Sequence, residues 1–195
     1  MMASIAQRWF GAFMETVKTH ETSATLREAA ERGELKHWTK ALTAIVVGTF
    51  PKMGWRGAAR GHKSDLLPVS RSEYLALDVV AFETVGHQRW RFPVSVFELE
   101  NSPIDDLVAY SLWKVLCVRS SLRVVFCYRQ NASEGAELVR HLADEVIQAM
   151  GIPTRSSLGG ETLIIVGSRS ETATFPYGFF KDWTLDANTA RFRRH

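Results

Sequence analysis

The hydrophobic period of this chain switches from helical to extended and back again several times, and that alternation leaves few architectures open. Leu35, Trp38, Leu42, Ile45 and Val46 recur at helical spacing, with Gly48 and Pro51 after them as stop signals, so residues 34 to 47 read as a helix. Three strand-like segments follow in quick succession, at residues 55 to 60, 74 to 83 and 89 to 100, separated by turn chemistry over residues 61 to 68 and around Gly86. Ser102 and Pro103 then open a helix with Asp105 and Asp106 in its first turn and Ile104, Leu107, Val108, Ser111, Val115 and Val118 on its buried face. Residues 122 to 128 form an apolar, β-branched strand. Residues 133 to 150 form an amphipathic helix closed by Gly151 and Pro153, and residues 161 to 166 form a strand after the Gly159-Gly160 turn. This order predicts an α/β (α+β) fold, a mixed central sheet flanked by helices.

The ends of the chain add a helix over residues 4 to 19, with Ile5, Trp9, Phe10, Phe13, Met14 and Val17 on one face, and a short polar helix from the Thr25/Glu28 capping pattern to Gly33. An apolar stripe of that kind must dock on something, so the first helix is also a candidate surface for a homo-oligomer or a protein partner. Phe179, Phe180 and Trp183 make the C-terminal stretch too aromatic for a free tail. With 195 residues and 46% hydrophobic content, one core can form without disulfides or a structural metal. We expect a single domain, 1–195, made of a helical extension (1–33), a core (34–170) and a packing segment (171–195).

The apolar runs are too short to cross a bilayer, and the N-terminus has no basic region followed by an uninterrupted apolar stretch, so the expectation is a soluble, cytoplasmic protein without membrane contact. Cys117 and Cys127 lie in apolar patterns without Cys or His at metal-ligand spacing, which suits small hydrophobes in a reducing compartment. Lys plus Arg exceed Asp plus Glu by 24 to 21, an excess that permits nucleic-acid binding without demanding it. The basic residues gather at Arg56, Arg60, His62 and Lys63, at Arg89 and Arg91, and at Arg191, Arg193, Arg194 and His195. Such clusters are ordinary solvated surface unless the fold brings them together.

The residues that carry chemistry are carboxylates in apolar company. Asp78 stands in a run from Tyr74 to Phe82 that is apolar on both faces, and Val94 and Val96 lead on one strand face to Glu98 and Glu100. An ionised carboxylate withdrawn from water is normally paired, hydrogen-bonded, protonated or bound to metal. A hairpin through Gly86 would bring all three together, where their mutual repulsion should raise the pKa of at least one and a hard divalent cation would relieve it. The alternative pairs Asp78 and Glu98 with Arg or Lys and leaves Glu100 in solvent. Glu34 and Glu73, at element ends, read as surface residues, and Ser111 reads as either a partner of the acidic cluster or a donor to the backbone. Zinc sites, phosphate-cradling glycine loops, nucleophile elbows and a single-strand stacking surface find no support in the residues.

Over residues 34 to 128, the element order together with Asp78, Glu98-Leu99-Glu100 and a following helix that carries Lys114 resembles the PD-(D/E)XK, or restriction-endonuclease-like, nuclease superfamily. The resemblance implies a core in the order αβββαβ, with Asp78 and Glu98 as metal ligands. Glu100 stands where the family's lysine is usual, as in E-x-E members, and would be a third ligand or a water-orienting base. Lys114 is the candidate for a relocated lysine. The activity implied is Mg²⁺- or Mn²⁺-dependent phosphodiester hydrolysis on DNA or RNA. The alternative is a member that has lost catalysis and serves as a binding or scaffolding module.

Overall fold

The computed structural model describes residues 3–62, 65–71, 73–86 and 88–194. Lys63 and His195, members of two of the basic clusters, lie outside them.

Three helices come first. In α1 (Ile5–Thr19) the Ser4 hydroxyl accepts the Gln7 amide while the Gln7 side chain accepts the Ser4 amide, a reciprocal cap that satisfies two backbone donors a helix start otherwise leaves open. The Glu161 carboxylate strengthens that end from across the molecule, accepting from Ser4 Oγ and from the Ala6 amide, both at 2.8 Å. α2 (Ser23–Arg32) stops at Gly33, whose φ of +68° is a conformation a side chain would strain. α3 (Leu35–Thr49) follows directly.

β1 (Trp55–Ala59), β2 (Val79–Glu83) and β3 (Ser95–Leu99) form an antiparallel meander. α4 (Asp105–Leu116) carries the chain across to β4 (Leu122–Arg129), which lies parallel to β3. α5 (Ala132–Leu142), a π-helical turn (Ala143–Ile147) and the short α6 (Ile152–Ser156) lead to β5 (Glu161–Ser168), parallel to β4. β6 (Phe180–Asp186) and β7 (Arg191–Arg194) complete a mixed seven-stranded sheet whose strands lie side by side in chain order. β4 is buried at every residue, as a central parallel strand covered on both faces must be.

Alternation along the strands divides the apolar residues between two cores, one on each face. Phe97, Val124, Phe126 and Ile165 face Trp9, Phe13, Trp38, Leu42 and Ile45 of the first three helices. Val96, Val125, Cys127 and Ile164 face Val108, Leu112 and Val115 of α4 and Leu138 and Leu142 of α5. The first core is largely aromatic: Trp9 stacks on Phe13 with ring centroids 5.3 Å apart and also meets Phe97 and Phe126. α1 therefore spends its apolar face inside the molecule, and the partner docking expected of that face has no free apolar stripe to use.

Several boundaries differ from the sequence expectation. The strand expected over residues 74 to 83 begins only at Val79, because Leu75 and Ala76 take φ of +58° and +53°, outside the extended region. The one expected over residues 89 to 100 begins at Ser95. Before it, the Arg91 guanidinium is occupied in donating to the carbonyls of Glu83 and Gly86. The helix expected to run from residue 133 to 150 gives way to a π turn after Leu142. The aromatic segment at the C-terminus does pack on the body, but as two strands. Cys127 is buried, its thiol pushed up to about 12 mainly by desolvation, whereas Cys117 is exposed.

The Tyr128 hydroxyl donates to the Ala30 carbonyl at 2.9 Å, a buried link between β4 and α2. Tyr128→Phe keeps the ring packing and leaves that carbonyl with only the Gly33 amide, 3.4 Å away, so we expect about 1 kcal/mol of destabilisation in urea melts. An unchanged midpoint would show that α2 is held by its other contacts alone.

Candidate functional site

The site grows out of the ends of β2 and β3. Continuing their antiparallel register one residue past Val79↔Phe97 sets Asp78 directly opposite Glu98. Alternation turns both toward the α4 face, where Val80 and Val96 also lie. Asp78 sits just outside the strand, not within it, and its Oδ2 accepts the Leu99 amide at 2.8 Å. Glu98 is buried, 4% exposed. On α4, Ser111 and Lys114 lie one turn apart and face the same way. The Lys114 ammonium is 2.8 Å from Glu98 Oε2 and donates to the Ala76 carbonyl at 2.9 Å, while Ser111 Oγ stands 3.5 Å from the same Glu98 oxygen. The left-handed backbone at Leu75 and Ala76 is thus tied into the site through the lysine.

Glu98 Oε1 is buried and has no hydrogen-bond partner. Desolvation by burial raises the Glu98 pKa from 4.5 to about 7. The negative charge of Asp78 adds to the rise, and Lys114 and the Asp78 backbone amide work against it. Mutual repulsion was the expected cause; burial is the larger one.

Glu100 does not join this pair. The strand ends at Leu99 and the chain turns toward α4, so Glu100 Oε1 accepts the Ser102 amide at 2.7 Å instead. Among the described residues, no three His, Cys, Asp or Glu side chains are grouped to share one ion. The structure brings together Asp78, Glu98 and Lys114, with Ser111 beside them. Glu34 and Glu73 are engaged at the surface, with His37 and Arg60.

Two features were not singled out from the sequence. Arg129, nearly buried, follows Cys127 on the same strand face; it holds Asp105 at 2.6 Å and donates to the Ser102 carbonyl, fixing the loop where α4 begins. Asn101, Asp105, Tyr128, Arg129, Gln130 and Arg169 line a cleft of 490 Å³ at the carboxyl ends of the parallel strands, the end at which open α/β sheets place ligands. The pairing of an Arg with a carboxylate 24 residues earlier leaves no sequence pattern to find it by.

Among the described residues, the first and last of the basic clusters lie far apart on the sheet. Arg56 and Arg60 lie at β1 and Arg191 and Arg193 on β7, the two opposite edges of the sheet. Each is paired locally: Arg56 with Asp65, Arg60 with Glu73, Arg191 with Asp144 and Arg193 with Asp186. Among the described residues, no helix is long and apolar enough to cross a membrane.

Comparison with known proteins returns no matching family model, and no curated protein matches the chain.

Proposed function

We propose that this protein is a nuclease-type phosphodiesterase of the restriction-endonuclease-like superfamily, acting on DNA or RNA. The observation that carries the proposal is the convergence of Asp78, Glu98 and the Lys114 ammonium at one sheet end, with a buried Glu98 oxygen left unsatisfied. The order α3-β1-β2-β3-α4-β4 over residues 35–129, with β2 antiparallel to its neighbours and β4 parallel to β3, supports it.

The orphaned Glu98 Oε1 fits a cation, since a buried carboxylate oxygen without a donor is a ligand position. Asp78 and Glu98 are the residues that would hold Mg²⁺ or Mn²⁺, and two carboxylates are the usual protein share of a magnesium site, the rest being water and phosphate oxygens. When bound, the ion supplies Lewis-acid polarisation of a phosphoryl oxygen and a water that ionises near neutral pH. Lys114 is placed to stabilise negative charge developing on the scissile phosphate, held in position by the Ala76 carbonyl. Ser111 orients the Glu98 carboxylate, and Glu100 braces the start of α4 through Ser102.

A second reading is a non-catalytic binding module on the same fold. It is favoured by the same Lys114 contact read as a finished ion pair, and by the missing third ligand.

Cleavage of labelled single- and double-stranded DNA and RNA, with Mg²⁺, Mn²⁺ or EDTA, separates the two. The enzyme reading expects metal-dependent products that Asp78→Asn abolishes, while Lys114→Ala slows turnover and leaves metal affinity nearly unchanged. Absence of products with either ion, and of any metal-induced rise in melting temperature, would make the binding module the correct reading.

A further inference from the structure

At the opposite ends of the parallel strands, a second cleft of 1000 Å³ opens between the β2–β3 connection, the α4–β4 turn and the α6–β5 turn. Its walls include Phe92, Arg119, Ser120, Ser121, Arg123 and Thr154, and no Asp or Glu is among its lining residues. Arg123 is the unusual one. It is 1% exposed, yet its guanidinium meets only neutral partners: Nε donates to the Val118 carbonyl at 3.1 Å, Nη1 to Gly159 at 2.9 Å and Nη2 to Leu158 at 3.0 Å. A guanidinium carries five N–H groups and a fixed positive charge. Three donors are used, all on carbonyls, and no carboxylate is among the partners of the guanidinium in the described residues.

As a clamp on two turns, this side chain needs its donors but not its charge, and a buried cation without an anion is the costly way to make a clamp. The charge becomes useful if an anion enters the cleft. Arg119, exposed on the α4–β4 turn, adds a second cation, and the hydroxyls of Ser121 and Thr154 add neutral donors on the same walls. Phe92, 87% exposed at the rim, presents an open aromatic face. The volume is of the size that encloses a small organic ligand rather than a bare ion.

We propose that this cleft binds a phosphomonoester of nucleotide size, its phosphate held by Arg119 above the buried Arg123 charge and its ring set against Phe92. The site is separate from Asp78, Glu98 and Lys114, and does not depend on the catalytic reading. Its ligand has two sources, a free nucleotide or the phosphorylated end of a short strand.

The test is calorimetric titration in EDTA with AMP, adenosine, inorganic phosphate and a short oligonucleotide with and without a 5′-phosphate. We expect AMP to bind at least tenfold more tightly than adenosine and to raise the melting temperature. Arg119→Glu, on an exposed turn that should still fold, should weaken AMP at least tenfold, and Lys114→Ala should leave it unchanged. Arg123→Lys keeps the charge but not the planar fork, and should weaken AMP while the variant remains folded. A phosphorylated oligonucleotide that binds more tightly than AMP would identify the source as a strand end, and the reverse a free nucleotide. Equal affinity for AMP and adenosine, or AMP binding that survives Arg119→Glu, would overturn the proposal and leave Arg123 as a clamp.

Discussion

Replacing Trp9 by alanine should destabilise the protein by about 3 to 5 kcal/mol, a large part of what a domain of this size has. Trp9 is fully buried and lies against Phe13, Phe97 and Phe126, so its removal empties the centre of the core on that face of the sheet. Trp9→Phe is the informative companion. It restores most of the volume and removes the indole Nε1, which is buried without a partner, so its cost should be less than half that of alanine. Urea denaturation of both variants checks this. A small loss for Trp9→Ala would mean that α1 is an appendage after all.

The second large effect depends on pH. Glu98 has a folded-state pKa of about 7 against 4.5 for the free side chain. Below 4.5 both folded and unfolded states are protonated at this position, and it contributes nothing to the pH dependence. Between 4.5 and 7 the unfolded chain gives up its proton first, so stability falls as pH rises, and above 7 the whole penalty is present. A shift of that size corresponds to about 3 kcal/mol. Glu98→Gln keeps the shape without the ionisation, so in EDTA its stability relative to the parent should improve by about 3 kcal/mol between pH 4 and pH 8. Lys114, 22% exposed, can still reach water in the variant. Parallel pH–stability curves for parent and variant would show that the lysine fully compensates the buried charge.

Much of this architecture is legible in the residues, because period and punctuation are local. Gly33 marks a real helix end, and the continuous apolar run of β4 announces a central strand, whereas Gly48 falls inside α3 and Pro103 stands two residues before the first residue of α4, Asp105, with Ile104 as the cap. What failed to show is what depends on distant partners or on unusual backbone. Nothing in Leu75 or Ala76 signals a left-handed conformation, since neither is Gly or Asn, so the strand was extended too far back. β7 reads Arg-Phe-Arg-Arg, too polar for a strand unless a neighbour supplies the ladder, as β6 does. At the site, the shared strand face of Glu98 and Glu100 was readable, but a common face is not a common site once the chain turns away after Leu99. Lys114 could be suspected because it stands one helical turn beyond Ser111. Arg123 could not, since its partners are carbonyls and carbonyls leave no trace in a sequence.

The order of the strands bears on how the chain assembles. Each strand from β2 to β7 pairs with the one just before it, so a sheet growing from its first hairpin always offers an open edge to the next arrival. α1 is the exception. Its N-terminus is tied to Glu161, 155 residues away from Ala6, and its aromatic face needs β3 and β4 already in place. A chain emerging from the ribosome would therefore build its sheet outward while α1 waits, with Trp9 and Phe13 uncovered until β3 and β4 arrive. The interval before that closure is when these rings are available to chaperones and to other chains.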